Sequence, residues 1–398
     1  MLVSRKKTIL CLLSASLLAV ALTGCSKTPD AQNVNLYAWG GDERVNDWID
    51  DSLTPYVLET TGVTLTRVPM DAPDFMAKLT NEVQAGGTGD IDLLWINGEN
   101  FYSAKENDLL YGPFAGELEN LSKYIDEEAA AVDFGYPTEG YEAPWGKAQF
   151  VLFYDSDKTD APPVNSQQLK DFVMKNPGTF TYPQASDFTG SAFIRTVLYD
   201  VVGYDKLKDL NADYDEIKAA IGPAMDYLNE IEPYLWKEGA TYPADSSQLD
   251  SLYANGEVLI NMDYSANKAL SMVSDGSWPK GTKTFVWEKG TPYNTHFLAI
   301  STASANKEAC KKVINAALSP EMQISKADLN GWADMPVLDY NKLDSNDQEK
   351  LNAALTPDSK YASSILGYEE LDDHKQPELR ADLVDLIEQV WKDTVLNE

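Results

Sequence analysis

Between Asn33 and Trp95 the apolar positions change period from element to element. Val34–Trp39 reads as a short strand that ends on Gly40-Gly41. Val45, Trp48, Ile49, Leu53, Tyr56 and Val57 then recur at three and four residues, the spacing of one helical face. Val63–Val68 is β-branched and alternating, a second strand. Asp71 stands two places before Pro73, an N-cap and first-turn pairing, and Phe75, Leu79 and Val83 line the helix it opens. Gly86–Gly89 breaks that helix, and Ile91–Ile96 is a third strand. Such a βαβαβ unit builds a parallel sheet, whose ligands lie beyond the carboxyl ends of its strands. Those ends are Trp39-Gly40-Gly41 and Trp95 to Asn100.

A helix over 101–110 and a short one over 118–126 follow. Residues 133–146 are rich in Gly, Pro and aromatics and read as a boundary, so Gln149–Tyr154 is expected to cross into a second domain. There Ser166 caps a helix, Thr179–Tyr182 is a strand, and a strongly periodic helix carries Phe193, Ile194, Val197, Leu198 and Val201. A helix over 214–231 and strands at Glu257–Asp263 and Thr284–Trp287 complete that style. Thr291–Ser301 is the return crossing. Helices over 306–318 and 377–394 close the chain, the last with Leu379, Leu383, Ile387 and Trp391 at steps of four.

The N-terminus alters the cellular picture. Arg5-Lys6-Lys7 precedes an apolar run over Thr8–Ala21, and Leu22-Thr23-Gly24-Cys25 closes it. This is the layout of a secretory signal, too short for a membrane span, and its last residues resemble a lipoprotein lipobox. Residues 1–24 are therefore expected to be removed, with Cys25 lipidated and 25–32 a polar tether to the bacterial cell membrane. Cys11 leaves with the signal, so Cys310 is the thiol left in the fold, in an apolar helical pattern that suits a buried structural role. Loss of the signal's three basic residues takes the formal charge from −31 to −34, which excludes nucleic-acid binding and favours a cationic ligand only weakly. With 43% hydrophobic and 11% aromatic residues, the chain has the apolar content for folded domains.

Three stretches carry a resemblance. Asp90–Phe101 (DIDLLWINGENF), Gly178–Pro183 with Asp187–Phe193 (GTFTYP, DFTGSAF), and Asn294–Ile300 (NTHFLAI) are similar to motifs of the YnjB-like branch of ABC-importer solute-binding proteins. The resemblance implies a type II periplasmic-binding-protein fold: two α/β lobes, the second inserted into the first, joined by a hinge of two crossing strands. Residues 33–147 with 296–398 would form the first lobe and 148–295 the second. It also implies hinge closure on a small solute and delivery to an ABC permease by a monomer. A sugar, a thiamine-like heterocycle, a polyamine and a metal chelate all remain open as solutes, and no cofactor or resident metal is expected.

Candidate ligand contacts gather at the same edge. Thr189-Gly190-Ser191 at a helix start offers backbone N–H groups and hydroxyls as a polar or anionic seat, or simply a helix capped by Thr189 or Asp187. Gly40-Gly41 allows close backbone approach. Trp39, Trp95, Trp145, Tyr182 and Tyr264 can sandwich a flat or cationic group, or pack between lobes. Asn97, Glu99, Asn100, Asp187 and Asp263 add polar groups, and Gln149 opens the crossing strand. An enzyme is disfavoured: His296 and His374 are the only histidines, and neither His-Glu-x-x-His nor Gly-x-Ser-x-Gly occurs. The alternative is an exported carbohydrate-active hydrolase with carboxylates ~5–9 Å apart.

Overall fold

The computed structural model describes residues 32–40, 42–357 and 360–396. The signal, Cys25, most of the tether and Gly41 lie outside the described residues.

The first sheet is built on β1 (Asn33–Ala38), β2 (Thr64–Pro69) and β3 (Leu93–Ile96), with β1 central and parallel to both neighbours. The expected βαβαβ unit is present. Its first helical stretch, 43–61, contains a segment of wider turns at Trp48–Leu53 that turns Trp48, Ile49 and Leu53 inward. α1 (Ala72–Ala85) follows, with Asp71 at its N-cap. α2 (Gly98–Glu106) leaves the end of β3.

The outgoing crossing starts earlier than its composition suggested. β4 (Glu142–Gln149) is a strand running through Pro144 and Gly146, and β5 (Val151–Asp155) continues it into the second sheet. Proline is tolerated because the one ladder of β4 is with β8, with a register shift opposite its middle, and its other side makes a single bridge, Lys147 N to Met335 O at 2.8 Å. The second sheet adds β6 (Ile260–Asp263) and β7 (Thr282–Phe285), in the order β7-β5-β6, all antiparallel. β8 (Thr291–Ser301) is the return crossing, antiparallel to both β4 and β3.

Thr179–Tyr182 is not a strand. The segment is largely buried, but single bonds hold it: Leu259 N donates to Thr179 O at 2.8 Å and Trp236 N to Phe180 O at 2.8 Å. It touches loops, so no ladder forms. In the helix before it, Ser166–Lys175, the cap is Asn165, one residue before Ser166. α3 (Phe188–Val201) and α4 (Tyr214–Ile231) pack on the second sheet's side of the molecule, and α5 (Lys268–Ser274) follows β6.

The C-terminus departs from the expected division. β9 (Lys375–Pro377) adds to β8 in the first sheet, yet α6 (Ala381–Trp391) buries Val384, Ile387, Val390 and Trp391 in the second core, beside Tyr182 and Leu228. Residues 296–398 therefore do not all complete the first lobe. The apolar stripe at steps of four meets the uncovered face of α4, and burial of that stripe decides where the helix docks.

Candidate functional site

Trp48, Trp95, Trp145 and Trp332 form one aromatic nest where the first sheet's strands end. Trp95 lies 5.1 Å from Trp145, edge to face, and 5.5 Å from Trp332. Inside it sits Lys326, fully buried, whose Nζ donates to Asp334 Oδ2 at 2.6 Å and to Trp145 O. The ammonium is 5.3 and 5.2 Å from the Trp145 and Trp332 ring centroids, within cation–π range. Burial lowers the Lys326 pKa against the pull of Asp334. It also lowers that of His296, against the pull of Asp334, whose Oδ2 lies 3.0 Å from His296 Nε2. Burial would raise the Asp334 carboxyl, but His296 and Lys326 outweigh it and hold it below the usual range.

This trio pins the 331–335 loop against β4 and β8. Gly146 is what admits it: a Cβ there would stand 2.0 Å from His296 Nε2 and 2.1 Å from Asp334 Oδ2. We expect Gly146→Ala to cost about 3 kcal/mol, the upper range for overpacking, because the methyl meets an ion pair that has no room to move. Urea unfolding measures this; a loss near zero would show that the loop shifts freely.

The lobes meet around this nest. Arg44 pairs with Asp42 through two nitrogens and donates through Nη1 to Ser271 Oγ of α5 at 2.7 Å. Asn267 Nδ2 donates to Ala333 O at 3.1 Å, and Leu270 packs on Leu329 and Ala333. Trp39, just past β1, is 44% exposed and edge-on to Trp95, and Phe188, the first residue of α3, is 36% exposed and 4.8 Å from Tyr264. A cavity of about 380 Å³ lies elsewhere, along edge strand β7 and the 363–374 segment, away from these two rings.

A second polar cluster is buried at the start of α3. Arg195 Nε donates to Glu378 Oε2 at 2.9 Å, Nη1 to Ser191 Oγ at 2.5 Å and Nη2 to Tyr264 Oη at 3.1 Å. Tyr264 Oη and Asn294 Nδ2 complete the shell of Glu378 at 2.5 and 3.2 Å. Despite its burial, the Arg195 guanidinium is held even more firmly protonated, by Glu378 above all. Glu388 of α6 accepts from Ser191, and burial pushes its carboxyl up to about 7. Glu99 at the start of α2 is likewise raised by burial to about 7.

The candidates from sequence divide accordingly. Trp39 is exposed, while Trp95 is half-buried in the nest. Glu99, Ser191 and Tyr264 converge around Arg195, with Asn100 bonded to Glu99 Oε1 at 3.2 Å and Asn97 at the α2 N-cap. The anion seat at Thr189-Gly190-Ser191 is not free. Asp187 Oδ1 accepts from Thr189 N and Gly190 N at 3.0 Å each, and its backbone carbonyl takes Ser191 N. Gly190 answers a packing need, since a Cβ would fall 2.3 Å from Pro183 O. Burial lifts Asp187 to about 6, against the pull of those N–H groups. Gly40 is demanded in the same way, because a methyl there would meet Pro69 Cβ at 2.8 Å.

Four further candidates belong to the framework. Trp145 is fully buried in the nest. Gln149 Nε2 ties the crossing strand to Leu371 O at 2.9 Å and to His374 O. Tyr182 packs 4.6 Å from Phe193 and its hydroxyl accepts from Trp391 Nε1 at 3.2 Å. Asp263 is taken by Lys268 at 2.6 Å. Arg195, Glu378, Lys326, Asp334, Trp332, Arg44 and Phe188 were not anticipated from sequence. An arginine set within an apolar helical stripe is a signal for the first of them; the others became visible only through contacts distant in sequence.

A family model described as bacterial extracellular solute-binding protein matches residues 54–339. The chain belongs to that family. Protein YnjB of Escherichia coli (strain K12) is 35% identical over 335 residues, which is 82% of this chain and 85% of YnjB. An ABC transporter structure from Clostridium perfringens superposes with a TM-score of 0.64 at 15% identity, covering 92% of this chain and 99% of that one. The spermidine/putrescine substrate-binding protein PotD from Streptococcus pneumoniae gives 0.61 at 16% identity, covering 90% and 98%. A periplasmic thiamin binding protein gives 0.62 at 14% identity, covering 92% and 96%. The fold is thus the type II periplasmic-binding-protein fold, two lobes joined by crossing strands, and the function is that of an ABC-transporter solute-binding protein. Family members bind small solutes and work with a membrane permease. Nothing in these likenesses supports the hydrolase alternative.

Proposed function

We propose that this protein captures its solute between the two lobes without transforming it and hands it to its permease as a monomer tethered to the membrane through Cys25. The observation that carries this reading is the meeting of the lobes at Arg44–Ser271 and Asn267–Ala333, beside the exposed rings of Trp39 and Phe188. Closed contacts of this kind let solute binding be read out as a change of shape. Trp39 and Phe188 are the rings placed to cover the solute, and Trp95 backs Trp39. The solutes named for two of the similar structures, spermidine or putrescine and thiamin, support a small molecule as the cargo.

Trp39→Ala and Phe188→Ala are each expected to weaken solute affinity by about tenfold or more, since each removes an aromatic face worth about 1 kcal/mol beyond its area. Unfolding temperature should barely move. Titration calorimetry decides it; parental affinity in both variants would move the site elsewhere.

A further inference from the structure

A row of carboxyl groups runs from beneath α2 to α6 with little positive charge to meet it. Glu142 and Asp133 are 1% and 2% exposed. Asp133 Oδ2 accepts from Gly98 N at 2.6 Å, but its Oδ1 has no partner, and neither oxygen of Glu142 has one. Glu99 Oε2 is closed off from solvent and also unpartnered. Glu378 and Glu388 continue the row. Arg195 is committed to Glu378, Ser191 and Tyr264; Lys105, near Glu142, is bonded to Pro137 O and paired with Glu139.

A buried carboxylate without a counter-charge costs several kcal/mol, so such oxygens are occupied by protons or by a cation. Aromatic rings pack between them and the surface. A Cβ on Gly98 would touch the Phe134 ring at 3.3 Å, Phe134 lies 6.1 Å from Phe188, and Phe188 lies 4.8 Å from Tyr264. Aromatic faces leading to acceptor-only oxygens suit an organic ammonium group. Among the described residues no three carboxylate, imidazole or thiol groups converge as a bare metal ion requires.

We propose that the unpaired oxygens of Glu99 and Asp133, reached past Phe188, seat a positively charged nitrogen of the solute, so that the protein selects amines over sugars and anions. The proposal rests on the solute-capture reading and narrows it. The capped start of α3 agrees with it, because Asp187 has already taken the donors that an anion would need.

The test is thermal unfolding and titration calorimetry on the protein in mild detergent at pH 8, with three probe sets. These are 1,4-diaminobutane, spermidine and thiamine; glucose and fructose; succinate and phosphate. The expected result is saturable binding of at least one amine, weakened tenfold or more in Glu99→Gln and in Asp133→Asn, with both variants folded. Binding of a sugar or anion without any amine would overturn the cation proposal and leave solute capture standing. Amine binding unchanged in both variants would overturn the assigned seat. Silence of every probe would overturn both.

Discussion

Arg195→Met is expected to destabilise the fold by about 3–5 kcal/mol, the range for stripping one partner from a buried ion pair. The guanidinium is 1% exposed and satisfies Glu378, Ser191 and Tyr264 together. Removing it leaves the Glu378 carboxylate with only Tyr264 and Asn294 as donors, in a place water does not reach. Methionine fills much of the volume, so the loss comes from charge and hydrogen bonding. The double variant Arg195→Met, Glu378→Gln should recover part of it, because both ions then leave together. Urea denaturation at pH 7 checks both; a single-variant loss below about 1 kcal/mol would mean that water reaches the cluster.

Glu99→Gln is expected to act in the opposite direction, with a gain that grows as pH rises from about 4.3 to about 7 and is complete above it. Burial raises the folded carboxyl to about 7, whereas in the unfolded chain it titrates at about 4.3. Below the lower value both states hold the proton, and the stability is fully present. As pH rises the unfolded chain releases its proton first, so stability falls until the folded pKa is passed. Glutamine has no proton to release. The variant should match the parent at pH 4 and exceed it at pH 8 by on the order of 2 kcal/mol, allowing for partial screening at this half-buried residue. Thermal unfolding at the two pH values measures it, and equal stability at pH 8 would show that Glu99 is solvated. A gain in stability with a loss of amine affinity is the trade expected of a binding residue.

Much of the architecture was legible because periodic burial is local. Val34, Leu36, Phe75, Leu79, Leu93 and Ile96 are all buried where alternation or helical spacing put them. Elements failed where the partner decides. Residues 142–146 looked like part of a boundary because Pro144 and Gly146 are poor strand residues, yet pairing with β8 makes them the start of a strand. Thr179–Tyr182 has strand composition but found no ladder. The C-terminal helix was legible as a helix and misplaced as a member, since its stripe does not name the face that receives it.

The site followed the same division. Glu99, Tyr264 and Trp39 were visible as chemistry at strand ends. Tyr182 had the same appearance and is core, 0% exposed. The buried trio of His296, Lys326 and Asp334 is built from residues on separate elements, and Gly146, which makes room for it, looks in sequence like any other loop glycine. Tertiary contacts of this kind leave no local period to detect.

Native mass spectrometry of the purified protein tests capture of an intact small molecule most directly. The expected spectrum shows one ligand mass per chain, lost on denaturation and recovered chemically unchanged after prolonged incubation. Recovery of cleaved or otherwise altered molecules, or a folded protein that takes up no ligand from any probe set, would contradict it.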